Sequence, residues 1–226
     1  LLLENLRFDS REKENAASLA GALSKLADIY INDAFSVSHR EHASIDAITL
    51  ELPSYAGQLL SNEVSVLSKL GSRSKHPFVL TLGGLKMTTK IPIIEHFASQ
   101  TDAVLLGGAL STAFFVAQGL EVGKSVYEKE AVSSAKKILK QAKGKIFLPT
   151  EVVVVRALRK DATQEIVPVS EIKANQRIVD LGPETIKIYK EHISSAKTVV
   201  WNGPLGYCEI PTFCGATRAI ARAIAD

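Results

Sequence analysis

The stretch Pro77-Phe-Val-Leu-Thr-Leu-Gly-Gly-Leu-Lys-Met-Thr-Thr-Lys90 reads as a buried strand, a glycine turn and the start of a helix. Phe78 to Leu82 is a short apolar run, as expected of a strand covered on both faces. Gly83-Gly84 permits a tight turn and lets a ligand come close to the backbone. Thr88 or Thr89 is placed to cap the following helix, and Pro92 suits its first turn. Lys86 then lies in the loop and Lys90 near a helix N-terminus, where free amides attract anions. Amides and two lysines together predict a phosphate site.

The pattern recurs. Ala103-Val-Leu-Leu-Gly-Gly108 is again an apolar strand followed by two glycines. Arg177-Ile-Val-Asp-Leu-Gly-Pro183 and Thr198-Val-Val-Trp-Asn-Gly-Pro204 both end in Gly-Pro. In open α/β sheets, ligands bind outside the carboxyl ends of the strands. Glycine and proline also merely punctuate strand ends, but four such turns beside a lysine pair predict one continuous ligand rim.

From Phe78 onward, strands and helices alternate. Strand 78–82 leads to a helix near 89–99, and strand 102–106 to one near 109–118. A helix near 129–142 follows, then short strands at 146–148, 152–155 and 165–167. Strand 177–181 meets helix 183–194, and strand 198–201 precedes a last helix. This alternation predicts a mostly parallel sheet with right-handed crossovers. Upstream, Leu1 to Phe8 reads as a buried strand, Leu19, Leu23 and Leu26 as a helix face, and Asp28 to Asp33 as another strand. The loop Ala34 to Ser44 holds Arg40 between His39 and His42. With no third ligand, these histidines are better read as ordering the loop than as holding a metal. Leu60, Val64, Leu67 and Leu70 form a helical stripe ahead of the polar segment Gly71 to Pro77, where a domain boundary is expected.

Composition narrows the class. With 46% hydrophobic and 23% charged residues, the chain is of ordinary globular type. A net charge of +3 without a basic block does not suggest nucleic acid. Apolar runs fall short of the ~18 residues of a membrane-spanning helix. Cys208 and Cys214, the only two cysteines, fit a reducing compartment and no disulfide framework. Gly119-Leu-Glu-Val-Gly-Lys-Ser125 imitates a P-loop, but has one residue too few between its glycines and follows a helix instead of a strand. Gly119 reads as a helix C-cap.

Taken together, these motifs resemble phosphoglycerate kinase. The resemblance runs through Leu2-Leu-Glu-Asn-Leu-Arg-Phe8, Asn32 to Ser44, Gly83-Gly-Leu-Lys-Met-Thr-Thr-Lys90 and Trp201-Asn-Gly-Pro-Leu-Gly206 followed by Glu209. It implies an α/β fold of two Rossmann-like lobes joined by a hinge helix, with the N-terminal lobe only partly present. Residues 1–58 would be the remaining glycerate-binding lobe, 59–71 the hinge helix, and 72–226 the nucleotide-binding lobe, incomplete at its end. The implied reaction is reversible phosphoryl transfer from 1,3-bisphosphoglycerate to MgADP, giving 3-phosphoglycerate and MgATP, a step of glycolysis.

By the same resemblance, Arg7 and Arg40 would hold the glycerate phosphate, and Lys86 with Arg7 would act in catalysis. Gly83, Gly84, Lys86, Lys90, Gly107, Gly108, Asn202, Pro204 and Glu209 would bind nucleotide. Mg2+ would come with ATP or ADP, without a metal ligand in this chain. A cytoplasmic monomer is implied, with no nucleic-acid or membrane partner. The family's Asp-x-Asn and His-x-x-Arg segments would lie upstream of Leu1, and its magnesium-associated Asp beyond Asp226. Ala109, Leu85, Tyr207-Cys208 and Ala216 depart from common family residues. The alternative reading is a truncated fragment that binds nucleotide without turnover.

Overall fold

The computed structural model describes residues 1–70, 74–142 and 144–226. The chain divides into two compact units, Leu1–Arg73 and Ser74–Asp226. The boundary read at Gly71 and Ser72 lies outside the described residues.

In the first unit, no strand forms over Leu1 to Phe8. Leu1 and Leu2 are fully exposed, and a single 3-10 turn spans Leu6–Phe8. The reason is local. Asn5 accepts the Arg7 N–H (3.1 Å) and Asp9 accepts the Arg11 N–H (3.0 Å), which turns the backbone out of an extended path. Helix α1 (Ser10–Lys13) and helix α2 (Ala17–Ser24) follow. Strands β1 (Tyr30–Asn32) and β2 (Ser54–Ala56) pair in parallel. Helix α3 (Gln58–Leu67) begins after Gly57, where Asp33 accepts the Leu60 N–H (3.0 Å). A Cβ on Gly57 would lie 2.3 Å from that same carboxylate oxygen, so the remote cap requires glycine. The expected stripe on α3 is largely exposed in this unit: Val64 is 50% and Leu67 41% accessible.

The second unit is built on a four-stranded parallel sheet. Strands β3 (Phe78–Leu82), β4 (Ala103–Leu106) and β5 (Ile146–Phe147) join with a later strand formed by Thr198–Asn202 at the far edge. Every residue of β3 is buried, because both faces are covered. Alternate residues enter opposite cores. Leu80 and Leu82 pack toward Phe114, Ala135 and Ile138, while Val79 packs with Tyr189, Ile193 and Ile220. Helices α4 (Ile91–Phe97), α5 (Gly108–Ala117) and α6 (Ala131–Gln141) make up the helical part of the chain between β3 and β5. Asp102 fastens the start of β3 by accepting the Phe78 N–H (2.6 Å) and contacting His76. These two bonds, the Phe78 amide first, hold its carboxyl below the usual range.

Two expectations are corrected. Helix α4 starts at Ile91 with Lys90 at its N-cap position, and neither Thr88 nor Thr89 caps it. The Thr89 hydroxyl donates to the Lys86 carbonyl (2.9 Å), and the Thr88 N–H donates to Glu128 (2.8 Å). Those bonds hold residues 88–90 in turns and delay the helix. Also, the strand at 177–181 does not join the parallel sheet. Strands β6 (Glu151–Val155), β7 (Glu165–Pro168) and β8 (Arg177–Leu181) form a separate antiparallel sheet in the order β7-β6-β8. No helix lies between β6 and β7, so the chain reverses directly and cannot run parallel. Helix α7 (Pro183–Ser195), strand β9 (Thr198–Asn202) and helix α8 (Gly215–Ala225) complete the unit.

Tyr189 on α7 ties the adjacent strands β4 and β5 to the helix layer. Its fully buried hydroxyl reaches the carbonyls of Leu106 (2.6 Å) and Phe147 (2.9 Å), and burial pushes the phenol well above its ordinary value. Removing the donor leaves two buried carbonyls without it. We expect Tyr189→Phe to lower unfolding free energy by about 1–3 kcal/mol in a urea titration. A change below about 0.5 kcal/mol would show that water replaces the bond.

Candidate functional site

The ends of β3, β4 and β9 are locked together through their glycine turns. The Gly83 N–H donates to the Asn202 carbonyl (2.9 Å), and the Gly84 N–H to the Pro204 carbonyl (2.8 Å). Gly107 donates to the Leu82 carbonyl (2.9 Å), Gly108 to that of Leu205 (2.9 Å), and Leu110 to that of Gly84 (3.0 Å). Space is absent as well as conformational choice. A Cβ on Gly83 would stand 2.0 Å from the Pro204 oxygen. Gly84 and Gly108 adopt φ of 92° and 60°, a region open mainly to glycine.

This clasp forms one wall of a cavity of about 360 Å³. Gly84, Gly108, Pro204 and Glu209 line it, four residues brought together from three predicted motifs. Val126, Leu158, Ile178, Val179 and Tyr207 supply apolar lining. An apolar slot against exposed glycine backbone suits a flat ring system. Gly83 is fully enclosed beneath this wall, as is Gly107.

Beside the clasp, the Lys90 ammonium donates to the side-chain oxygen of Asn202. Lys86 is exposed on the loop between the glycines and α4. The predicted nucleotide residues therefore cluster within one unit. Arg7 and Arg40 lie in the other unit, both exposed, Arg7 in the turn Leu6–Phe8 and Arg40 after the turn Phe35–Val37. The Arg40 loop is ordered from within. Buried Glu12 accepts from the Ser44 hydroxyl (2.6 Å) and N–H (3.0 Å) and lies 3.6 Å from His42. His42 acts in loop order, as its surroundings in sequence suggested. Glu12 was not legible as its partner, since it is 30 residues away.

The false P-loop is a structural turn. Gly123 packs against the carbonyls of Gln176 and Lys173, and the Lys124 N–H donates to Gln176 (2.7 Å). Its amides are thus already used. Gly119 ends α5 with φ of 82°, as a C-cap does. Trp201 is a packing residue whose indole N–H donates to the Gly203 carbonyl (2.7 Å).

The cysteine expectation is overturned: Cys208 and Cys214 form a disulfide. Six residues of separation allow the intervening chain to fold back, with the turn Pro211–Phe213 closing the loop. Sequence reading also missed Asp180. It is only 4% accessible and lines the cavity. Its carboxylate accepts the N–H groups of Ala216 (3.0 Å) and Leu181 (2.9 Å), and so caps α8 from across the cavity floor. Gly206 passes so close that a Cβ would be 2.3 Å from the Asp180 oxygen. The signal was an acid inside an apolar strand, hidden by the Leu-Gly-Pro that follows.

The glycine-lined cavity and the two lysines lie at the carboxyl ends of a parallel sheet, where open α/β sheets bind ligands. The profile described as phosphoglycerate kinase matches residues 1–226. The phosphoglycerate kinases of Roseiflexus castenholzii and Thermomicrobium roseum are 44% and 45% identical to the chain, over 100% and 99% of its length. Among solved structures, phosphoglycerate kinase from Coxiella burnetii superposes with a TM-score of 0.84 at 36% identity, over 98% of this chain and 58% of its own. The enzyme from Pyrococcus horikoshii superposes with a TM-score of 0.86 at 27% identity, over 99% of this chain and 59% of its own. This chain belongs to the phosphoglycerate kinase family. It spans 58% of the length of the curated relatives it matches.

Desolvation, opposed by the Ala216 and Leu181 amides and by Arg218, raises the Asp180 pKa to about 6. The folded state then holds this proton more tightly than the unfolded chain, whose aspartate titrates near ~3.9. Stability from this group is present below the unfolded value and is lost as pH rises to about 6. We expect the stability difference between the parent and Asp180→Asn to fall with pH over that window and to level above it. Parallel pH profiles in urea unfolding would contradict this.

Proposed function

We propose that the protein transfers a phosphoryl group between 1,3-bisphosphoglycerate and MgADP, yielding 3-phosphoglycerate and MgATP. The family match across residues 1–226 carries this reading. The meeting of Lys90, Asn202 and the glycine clasp gives it a physical site. In this reading, residues 1–58 hold the glycerate and residues 59–71 are the hinge. Residues 72–226 hold the nucleotide.

Arg7 and Arg40 are exposed and, among the described residues, have no side-chain partner; their planar forks suit the glycerate phosphate. The adenine ring enters the apolar slot opposite Gly84 and Gly108, with Pro204 at its edge. Glu209 accepts from ribose hydroxyls. Gly83 and Gly107 keep side chains out of the wall behind. Lys90, held by Asn202, meets nucleotide phosphate. Lys86, beside the turn, neutralises charge on the phosphoryl group in transit, where fixed positive charge lowers the barrier most. The acceptor in the ATP-consuming direction is a carboxylate already ionised at neutral pH, so no general base is required.

The lysine-rich rim suits phosphate oxygens rather than a cation. Among the described residues, no group of three or more His, Cys, Asp or Glu could hold a metal ion. In this reading Mg2+ arrives with the nucleotide phosphates and would supply charge neutralisation there. Among the described residues, no helix is long and apolar enough to cross a membrane. A cytoplasmic, monomeric enzyme completes the proposal.

The second reading is a nucleotide-binding piece without turnover. Intact mass followed by a coupled assay separates the two. A 24.4 kDa molecule that binds MgADP without phosphoryl transfer is the second; turnover supports the first. In a protein that turns over, we expect Lys86→Ala to reduce kcat by roughly 10²-fold with a smaller effect on nucleotide affinity. A kcat within about threefold of the parent would count against Lys86. Arg40→Ala should raise KM for 3-phosphoglycerate and leave KM for ATP nearly unchanged; the reverse pattern would refute the assignment of the glycerate to residues 1–58.

A further inference from the structure

The chain's two cysteines bracket Glu209, and their disulfide closes the loop that carries it. That loop enters the cavity wall through Glu209, next to Gly206 and Tyr207 just ahead of it. It is fixed independently at both ends. The Tyr207 N–H donates to the Val179 carbonyl (2.7 Å), and Phe213 is fully buried against Val155 and Val179. Between these anchors, the Cys208 N–H donates to the Gly206 carbonyl (3.1 Å) and the Ile210 N–H to the Tyr207 carbonyl (3.2 Å), and the bridge to Cys214 adds a covalent tie to those turn bonds.

The bridge also reaches the cavity through Thr217. The Thr217 hydroxyl lies 3.4 Å from the Cys208 sulfur and accepts the Leu205 N–H (3.0 Å). A disulfide sulfur carries no proton, so Thr217 donates in that contact. Reduction gives the sulfur its own proton and changes this arrangement. Cys214 stands at the N-cap position of α8, the helix whose first amides Asp180 also binds. Both cysteines are half-buried, at the protein surface rather than in a core. A small ring of this kind, half-buried at the surface, is within reach of exchange with another thiol.

We infer that Cys208–Cys214 is a reversible thiol–disulfide site that fixes the Glu209 loop against the nucleotide cavity; its effect on binding rests on the nucleotide reading above. The exchange partner is a dithiol. One thiolate attacks a sulfur of the bridge, forming a mixed disulfide and releasing the other cysteine as a thiolate. The second thiol of the partner, as thiolate, displaces the first cysteine. Two electrons and two protons pass to the chain, and the partner leaves as its disulfide. The oxidised chain holds Glu209 in place. The reduced chain must order the loop when nucleotide binds, and so binds more weakly.

The test uses the full chain poised in oxidised or reduced dithiothreitol, with thiols counted and MgADP titrated by calorimetry. The expected result is no free thiol in the oxidised form, two in the reduced form, and MgADP binding weakened roughly 3- to 10-fold on reduction. The double variant C208S/C214S should bind like the reduced chain under both conditions. Equal MgADP affinity in both redox forms, or failure of the bridge to form, would overturn the inference. If neither form binds MgADP, the nucleotide reading fails, and amide exchange over Tyr207 to Phe213 judges the redox site. Slower exchange in the oxidised chain supports it, and equal exchange overturns it.

Discussion

The second unit depends on main-chain hydrogen bonds between turns that have no side chains. Three parallel strands end at one level: the turns after β3 and β4 donate N–H groups to carbonyls at the end of β9, and the Leu110 N–H of α5 donates to the Gly84 carbonyl. Ordinary residues could not be packed there, because the Gly83 and Gly203 positions lie within 2.5 Å or less of the facing backbone. Once these turns meet, the positions of Lys90, Asn202 and the cavity follow. The clasp also consumes polar backbone groups that would otherwise be buried without partners at the top of the sheet.

Much of this was legible because the signals were local. A five-residue apolar run followed by two glycines has few readings, and β3 occupies Phe78–Leu82 as expected. Pro183 marked the start of α7 for the same reason, since its fixed φ and missing donor suit a first turn. Most illegible features depended on distant partners. The β6–β7–β8 sheet looks in sequence like three more short strands, and pairing direction is set by how the chain returns. The Leu1 to Phe8 segment has the apolar content of a strand, yet Asn5 and Asp9 turn it locally. Helix α4 starts late because Thr88 spends its amide on Glu128, 40 residues away. Asp180 and the Cys208–Cys214 bridge are likewise tertiary facts. Neither has a sequence period to betray it.

The two units differ in how their apolar residues are used. In the second, both faces of the parallel sheet are covered and the largest side chains are buried. In the first, Phe8, Ile31, Leu50 and Tyr55 remain more than half exposed. Order there relies more on polar ties, chiefly Glu12 to Ser44 and Asn15 to Asp46 (2.6 Å). Such bonds fix geometry well but contribute modestly to stability. The second unit therefore has the stronger grounds for independent stability.

The glycine wall has an evolutionary consequence. A surface made of backbone cannot be retuned by exchanging side chains, because at Gly83 and Gly108 even a methyl group collides with the facing chain. Inherited variation in what the cavity accepts must therefore collect where side chains line it, at Val126, Leu158, Ile178 and Tyr207. Divergence among descendants of this sequence should be lopsided, with the backbone part of the lining frozen by geometry and the side-chain part free to drift.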